Sequence, residues 1–169
     1  MKHQQSSLYL DLQQYQLHLR RLMPMQQGIA PVLMLHGAIE NGRIFYSHSG
    51  KGLGCYLADN GFMVYCADFA GRGLSKPHAS DGFTQSQQQM ISRDIPALIE
   101  HIYQLHQQKV ILVAHSWGGV VATASLARFP QLTAKLAAKV CFGSKRVITV
   151  QSLERKLKIN LLWNKVAPW

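Results

Sequence analysis

Val110-Ile111-Leu112-Val113-Ala114-His115-Ser116-Trp117-Gly118-Gly119-Val120-Val121-Ala122 is the stretch that decides the fold. An apolar run empties into a small-residue turn, and a helical pattern begins at once. Strand, tight turn and helix in that order set a serine hydroxyl on a strained corner at the sheet's edge, where a substrate carbonyl can approach. Strand and helix cross closely at such a corner, so the positions two either side of Ser116 need small side chains; Gly118 and Ala114 supply them. The same residues also read as a serine N-cap opening a helix, which is common in any α/β protein.

Two further strand runs end in loops of the same character. Pro31-Val32-Leu33-Met34-Leu35 leads into His36-Gly37-Ala38, and Phe62-Met63-Val64-Tyr65-Cys66-Ala67 leads into Asp68-Phe69-Ala70-Gly71-Arg72-Gly73-Leu74-Ser75. Acyl transfer needs donors aimed at the oxygen that becomes negative, and backbone amides beside a nucleophile supply them without reorganising. The two candidates are the amides of Ala38 and Trp117.

With His36-Gly37-Ala38, Asp68-x-x-Gly71-x-Gly73-x-Ser75 and Ala114-His115-Ser116-Trp117-Gly118-Gly119 in this order and spacing, the chain resembles the α/β-hydrolase superfamily from about residue 7 onward. Alanine at 114 departs from the usual Gly-x-Ser-x-Gly by one methyl. The resemblance implies an α/β fold, a doubly wound and mostly parallel sheet, with Ser116 as nucleophile after the fifth strand. It also implies an oxyanion hole from Ala38 and Trp117, and hydrolysis of esters or related acyl compounds. His36, Gly37, Gly118 and Gly119, like Asp68, Gly71 and Gly73, take loop-shaping roles. No cofactor is implied. Related folds with haloalkane or epoxide chemistry use an aspartate nucleophile, and serine at 116 argues against those.

At 169 residues the chain suits one domain with a sizeable core. In the superfamily the acid follows a seventh strand and the histidine an eighth, whereas the last strand expected here is the sixth, at Ala137-Ala138-Lys139-Val140-Cys141-Phe142. The fold is therefore expected to be truncated after about strand six. Residues 1–149 form the core, 150–169 begin a basic amphipathic lid, and the acid and base lie beyond residue 169. The sixth strand then becomes a sheet edge with apolar faces and unpaired backbone.

A serine hydroxyl is a weak nucleophile until a base takes its proton, so the histidines matter. His115 precedes the serine and is expected to face the other side of the sheet. His36 is expected to bond its own loop, and His101 and His106 to lie on a helix surface. His78, in a loop, is the candidate substitute base. The reading is a serine hydrolase acting on a small-molecule, lipid-like acyl ester. Its alternative is a catalytically silent fragment or binding module that keeps the crevice without the base.

The remaining layout fits the doubly wound sheet. Residues 7–13 and 15–22 read as antiparallel strands, and Leu53 to Asn60 as a helix stopped by Gly61. Asp94-Ile95-Pro96 reads as a helix start with Asp94 as the cap, although helical pattern extends upstream to Met90. The apolar stripe of that helix is Ile95, Leu98, Ile99, Ile102 and Leu105. The helix after Ser116 runs to Phe129 and stops at Pro130. The third and fifth strands should flank the switch point where ligands bind in open sheets.

Gly50-Lys51-Gly52-Leu53-Gly54 lacks the Walker spacing and reads as a loose lead-in to a helix. Cys55, Cys66 and Cys141 have no paired spacing, which suggests buried, reduced thiols, and no metal site follows from the cysteines or histidines. The formal charge is +10, and most of the surplus falls from Lys135 onward, beside Leu153, Leu157 and Leu161. Leucines four apart among lysines make a basic amphipathic helix, read as a lid with a solvated face ahead of a weak contact with anionic membrane. Nucleic-acid binding is not expected, because no recognised module accompanies the charge. With no apolar leader and no run of membrane-spanning length, the location is expected to be cytoplasmic.

Overall fold

The computed structural model describes residues 2–145 and 152–161. In chain order the strands and helices are β1 (His3–Asp11), β2 (Gln16–Pro24), β3 (Pro31–Leu35), α1 (Leu53–Asp59) and β4 (Met63–Ala67). There follow α2 (Gln87–Gln89), a π turn (Met90–Asp94), α3 (Ile95–His106), β5 (Val110–His115), α4 (Trp117–Arg128), β6 (Leu136–Phe142) and α5 (Leu153–Leu161). They build a six-stranded sheet in the order β1-β2-β4-β3-β5-β6. The β4-β3-β5-β6 part is parallel, and the β1-β2 hairpin joins it antiparallel through β2 and β4.

Side chains of β3 alternate between two apolar layers. Leu33 and Leu35 pack with Leu98, Ile99 and Ile102 of α3 and Val121 of α4, while Val32 and Met34 pack on the other face with Cys55 and Ala58 of α1. A strand buried on both faces reads as the continuous apolar run seen in the sequence. Each fully buried leucine contributes on the order of 2 kcal/mol by apolar burial. Gly61, at φ 93°, follows the end of α1 in the left-handed conformation that glycine adopts without penalty.

The structure corrects the expected bounds of the hairpin. Both strands are displaced from 7–13 and 15–22, because polar pairings replace apolar alternation at the start of β1. His3 Nδ1 lies 2.7 Å from Asp59 Oδ1, and the Gln5 side chain donates to the Ser47 carbonyl at 3.0 Å.

α3 also starts differently from the sequence expectation. The helical path opens at Ser86, whose hydroxyl accepts from the Gln89 amide, and runs through α2 and the π turn into α3. Asp94 is helical and caps nothing; its buried carboxylate accepts the Tyr15 hydroxyl at 2.5 Å and a bond from the Gln85 side-chain amide. The Ile95 amide bonds back five residues to the Met90 carbonyl, and this wider turn carries the chain into Pro96, which has no N–H to donate. Leu105 is not part of the buried stripe: it is half exposed at the end of α3.

At the other edge β6 pairs only with β5 among the described residues, and Val140 and Phe142 stand exposed there. Cys141 is exposed as well, so of the three thiols expected to be buried only Cys55 and Cys66 are. In α5, Leu153, Leu157 and Leu161 are all more than half exposed. The rest of the expected lid, 150–151 and 162–169, lies outside the described residues. No helix among the described residues is long and apolar enough to cross a membrane.

Candidate active site

Where β5 ends, the chain turns sharply into α4. Ser116 occupies the corner at φ 50° and ψ −121°, a conformation that costs an L residue of order 1–3 kcal/mol and persists only where neighbours enforce it. Its amide donates to the Phe142 carbonyl at 2.9 Å, tying the corner to the end of β6. Gly118 is required by close approach: a methyl there would press into the His36 carbonyl and stand 2.9 Å from that of Leu35. A methyl on Gly119 would run into the Ser144 side chain. The first loop lies directly alongside, since a Cβ on Gly37 would be 3.3 Å from Ser116 Cβ.

His36 shapes that loop. Its Nε2 accepts the Phe69 amide at 3.1 Å, so the proton sits on Nδ1 and is donated to the Gly37 carbonyl at 2.7 Å. Burial pushes its pKa below the ordinary imidazole value, which keeps the ring neutral. Both ring nitrogens are thereby committed to backbone.

Asp68 anchors the second loop. It accepts from the Gly42 amide at 2.6 Å, the Leu74 amide at 2.9 Å and His18 Nδ1 at 2.8 Å. Burial alone would raise this carboxyl, but His18 and the two amides outweigh it and hold the pKa below the usual carboxylate value. Gly73, at φ 56°, is left-handed against this carboxylate, where a Cβ would overlap it.

Ala38 and Trp117 come together in space: both line a cavity of about 260 Å³ beside the corner, with Phe69, Phe83 and Met90 as apolar walls. The Ala38 amide has no intramolecular acceptor among the described residues.

His115 is not among the residues that line this cavity. Its Nδ1 lies 2.8 Å from Glu40 Oε2, the same oxygen that accepts the Gly37 amide at 2.8 Å, and its ring packs on Phe142 at 5.0 Å. Along β5, Val110, Leu112 and Ala114 fall in one apolar layer and Ile111 and Val113 in the other, the alternation expected of a strand. Glu40, two residues beyond Ala38, bridges the two segments, and in the sequence only its spacing from His36-Gly37-Ala38 marks it.

The other histidines are engaged elsewhere. His78 is exposed and caps a short 3-10 turn, with its ring bonded to Ser80. His101 and His106 are half-buried rather than superficial, His106 Nε2 lying 2.7 Å from the Tyr65 hydroxyl, and burial lowers both pKa values. His18 is held between Asp68 and Ser7.

A parallel-cored sheet whose third and fifth strands deliver a glycine loop and a left-handed serine to one crevice is an α/β-hydrolase arrangement. Residues 26–168 match the family described as serine aminopeptidase, S33, and the chain belongs to it. It is similar to a triacylglycerol lipase 1 of Arabidopsis thaliana, 32% identical over 112 residues that cover 62% of this chain and 28% of the relative. Lipase member M of Homo sapiens is 29% identical over 139 residues, 77% of this chain and 32% of that protein. An α/β hydrolase of Novosphingobium aromaticivorans superposes with a TM-score of 0.61 at 28% identity, over 81% of this chain and 43% of the other. The chain thus spans about a third of the length of the curated relatives it matches.

Proposed function

We propose that this chain carries the nucleophile-bearing part of a serine hydrolase that cleaves a carboxylic, lipid-like acyl ester. Ser116 attacks the acyl carbonyl and forms an acyl-enzyme, and the amides of Ala38 and Trp117 receive the oxyanion. The acid and base come from outside the described residues. The observation that carries the reading is the left-handed Ser116 standing against Gly37. The lipase names of the relatives support an ester substrate. The three free thiols suit a reducing compartment, so a cytoplasmic location belongs to the proposal. So does a weak contact of α5 with anionic membrane, since its three leucines are exposed. Equal sedimentation with anionic and zwitterionic vesicles removes that contact.

A fluorophosphonate should label the full-length protein at Ser116, and Ser116→Ala should abolish the adduct in mass spectrometry. Equal labelling of both defeats the nucleophile assignment. The second reading, a silent module, is favoured by one observation: His36, His18 and His115 each have ring nitrogens bonded to groups other than Ser116. The 169-residue chain should accordingly turn over p-nitrophenyl esters no faster than its Ser116→Ala variant. Robust turnover by the chain alone overturns the expectation that the base lies elsewhere.

A further inference from the structure

Arg72 stands on a ridge between two cavities. The loop after β4 is fixed around it: the Arg72 amide donates to the Phe69 carbonyl at 2.9 Å, and the Ser75 amide donates to the Arg72 carbonyl at 3.0 Å. Left-handed glycines at 71 and 73 flank it. The residue lines both the 260 Å³ cavity that holds Ala38 and Trp117 and a neighbouring one of about 570 Å³ bounded by Ile39, Glu40, Asn41 and His78.

A guanidinium keeps its charge at any physiological pH and is costly to desolvate without a counter-ion. Arg72 is half-buried, and burial lowers its pKa from the ordinary arginine value. Among the described residues it takes part in no ion pair. The acids nearby are already committed: Asp68 to Gly42, Leu74 and His18, Glu40 to Gly37 and His115, and Asp81 to the His78 amide. No aspartate or glutamate lines the smaller cavity among the described residues, and Arg72 is the residue in its lining that carries a permanent charge. Such a chamber selects an anion.

The chemistry of that anion follows from the walls. Phe69, Phe83 and Met90 share the lining with Thr84, Gln85 and Gln87, so the chamber suits a ligand with an apolar stretch beside its polar groups, and 260 Å³ sits just under the range of about 300–1,000 Å³ usual for small-molecule sites, which suits a short chain. A planar carboxylate matches the guanidinium fork in two parallel bonds. Resting on the serine-hydrolase reading, we propose that the acyl ester taken by this crevice carries a carboxylate, and that Arg72 is the counter-ion selecting it.

The test compares two probes that differ only in that group, monomethyl adipate and dimethyl adipate, titrated calorimetrically into the full chain at neutral pH and low salt. The monoester should bind at least about tenfold more tightly, and Arg72→Gln should bring the two dissociation constants together. Equal affinities in the wild type, or a preference that survives Arg72→Gln, overturn the proposal. Should Arg72→Gln fail to fold, Arg72→Lys decides: it keeps the charge but loses the fork, so the ratio must fall and remain above one, and an unchanged ratio counts against Arg72. Fluorophosphonate labelling of Ser116 is read separately, on the full-length protein. Labelling lost with the tenfold ratio intact sinks the hydrolase reading and leaves an anion site; labelling intact with no ratio sinks the anion site alone.

Discussion

Gly118 shows how little freedom the serine corner allows. The obstacle to a side chain there is backbone, the carbonyls of His36 and Leu35, which cannot swing aside as a flexible side chain would. Gly118→Ala must therefore separate α4 from β3, at the upper end of the roughly 1–3 kcal/mol that overpacking costs. Gly82 is the natural control. It is left-handed at φ 81° with open space around it, so Gly82→Ala carries backbone strain alone, about 1 kcal/mol. Chemical denaturation should rank Gly118→Ala below Gly82→Ala, and Gly118→Ala should also slow fluorophosphonate labelling of Ser116. A Gly118→Ala variant as stable as the parent contradicts the close approach.

At the scale of elements, the sheet edge is accessible to chemistry. Cys141 is exposed on β6, whereas Cys66 is wholly buried and its thiol pKa is pushed well up by that burial; burial raises Cys55 too. A thiolate-selective reagent should titrate one cysteine quickly in the folded chain and all three after denaturation, with Cys141→Ser removing the fast phase. Fast reaction of Cys66 runs against the packing described. These elements are unequally legible in the sequence. β3, β4 and β5 announce themselves because strands buried on two faces need unbroken apolar runs. The start of β1 hides because polar pairs with Asp59 and Ser47 replace the alternation that marks a strand. The π turn hides because Asp94 and Pro96 imitate a helix start, and only the Tyr15 hydroxyl, seventy-nine residues away in sequence, reveals why the carboxylate points inward. The candidate site follows the same division. Ser116, Ala38 and Trp117 are picked out by local turn chemistry, while Glu40 and Arg72 matter through partners, or a lack of ion pairs, that only tertiary contact brings into view.

For the whole molecule, acid should be the vulnerable direction. His36 is held neutral by burial, so its folded pKa lies below the unfolded value of about 6.5; the stabilisation is complete above that and erodes as pH falls through the window beneath it. His101 and His106, also lowered by burial, act in the same sense. Asp68 has a depressed folded pKa, so its contribution is complete above the unfolded value of about 3.9 and is lost as pH falls through the folded value. Asp94 pulls the other way, since burial raises its pKa and protonation relieves it, but one carboxyl opposes three imidazoles. Melting temperature should hold near neutrality and decline in two stages, the first beginning below about pH 6.5. Asp68→Asn leaves at least one buried amide without its acceptor, at a cost of about 1–3 kcal/mol, and should flatten the more acidic stage. A melting temperature that rises between neutrality and about pH 5 contradicts the histidine assignments.

The shared oxygen of Glu40 has a mechanical consequence. Because a single atom holds the Gly37 amide and the His115 ring, the loop after β3 and the end of β5 are riveted together, and neither can drift without the other. Thermal motion at the mouth should then be a common tilt of both segments, visible as matched order parameters for Gly37 and His115. Replacing Glu40 by alanine would let the two decouple while leaving Ser116 and the amides of Ala38 and Trp117 chemically unchanged.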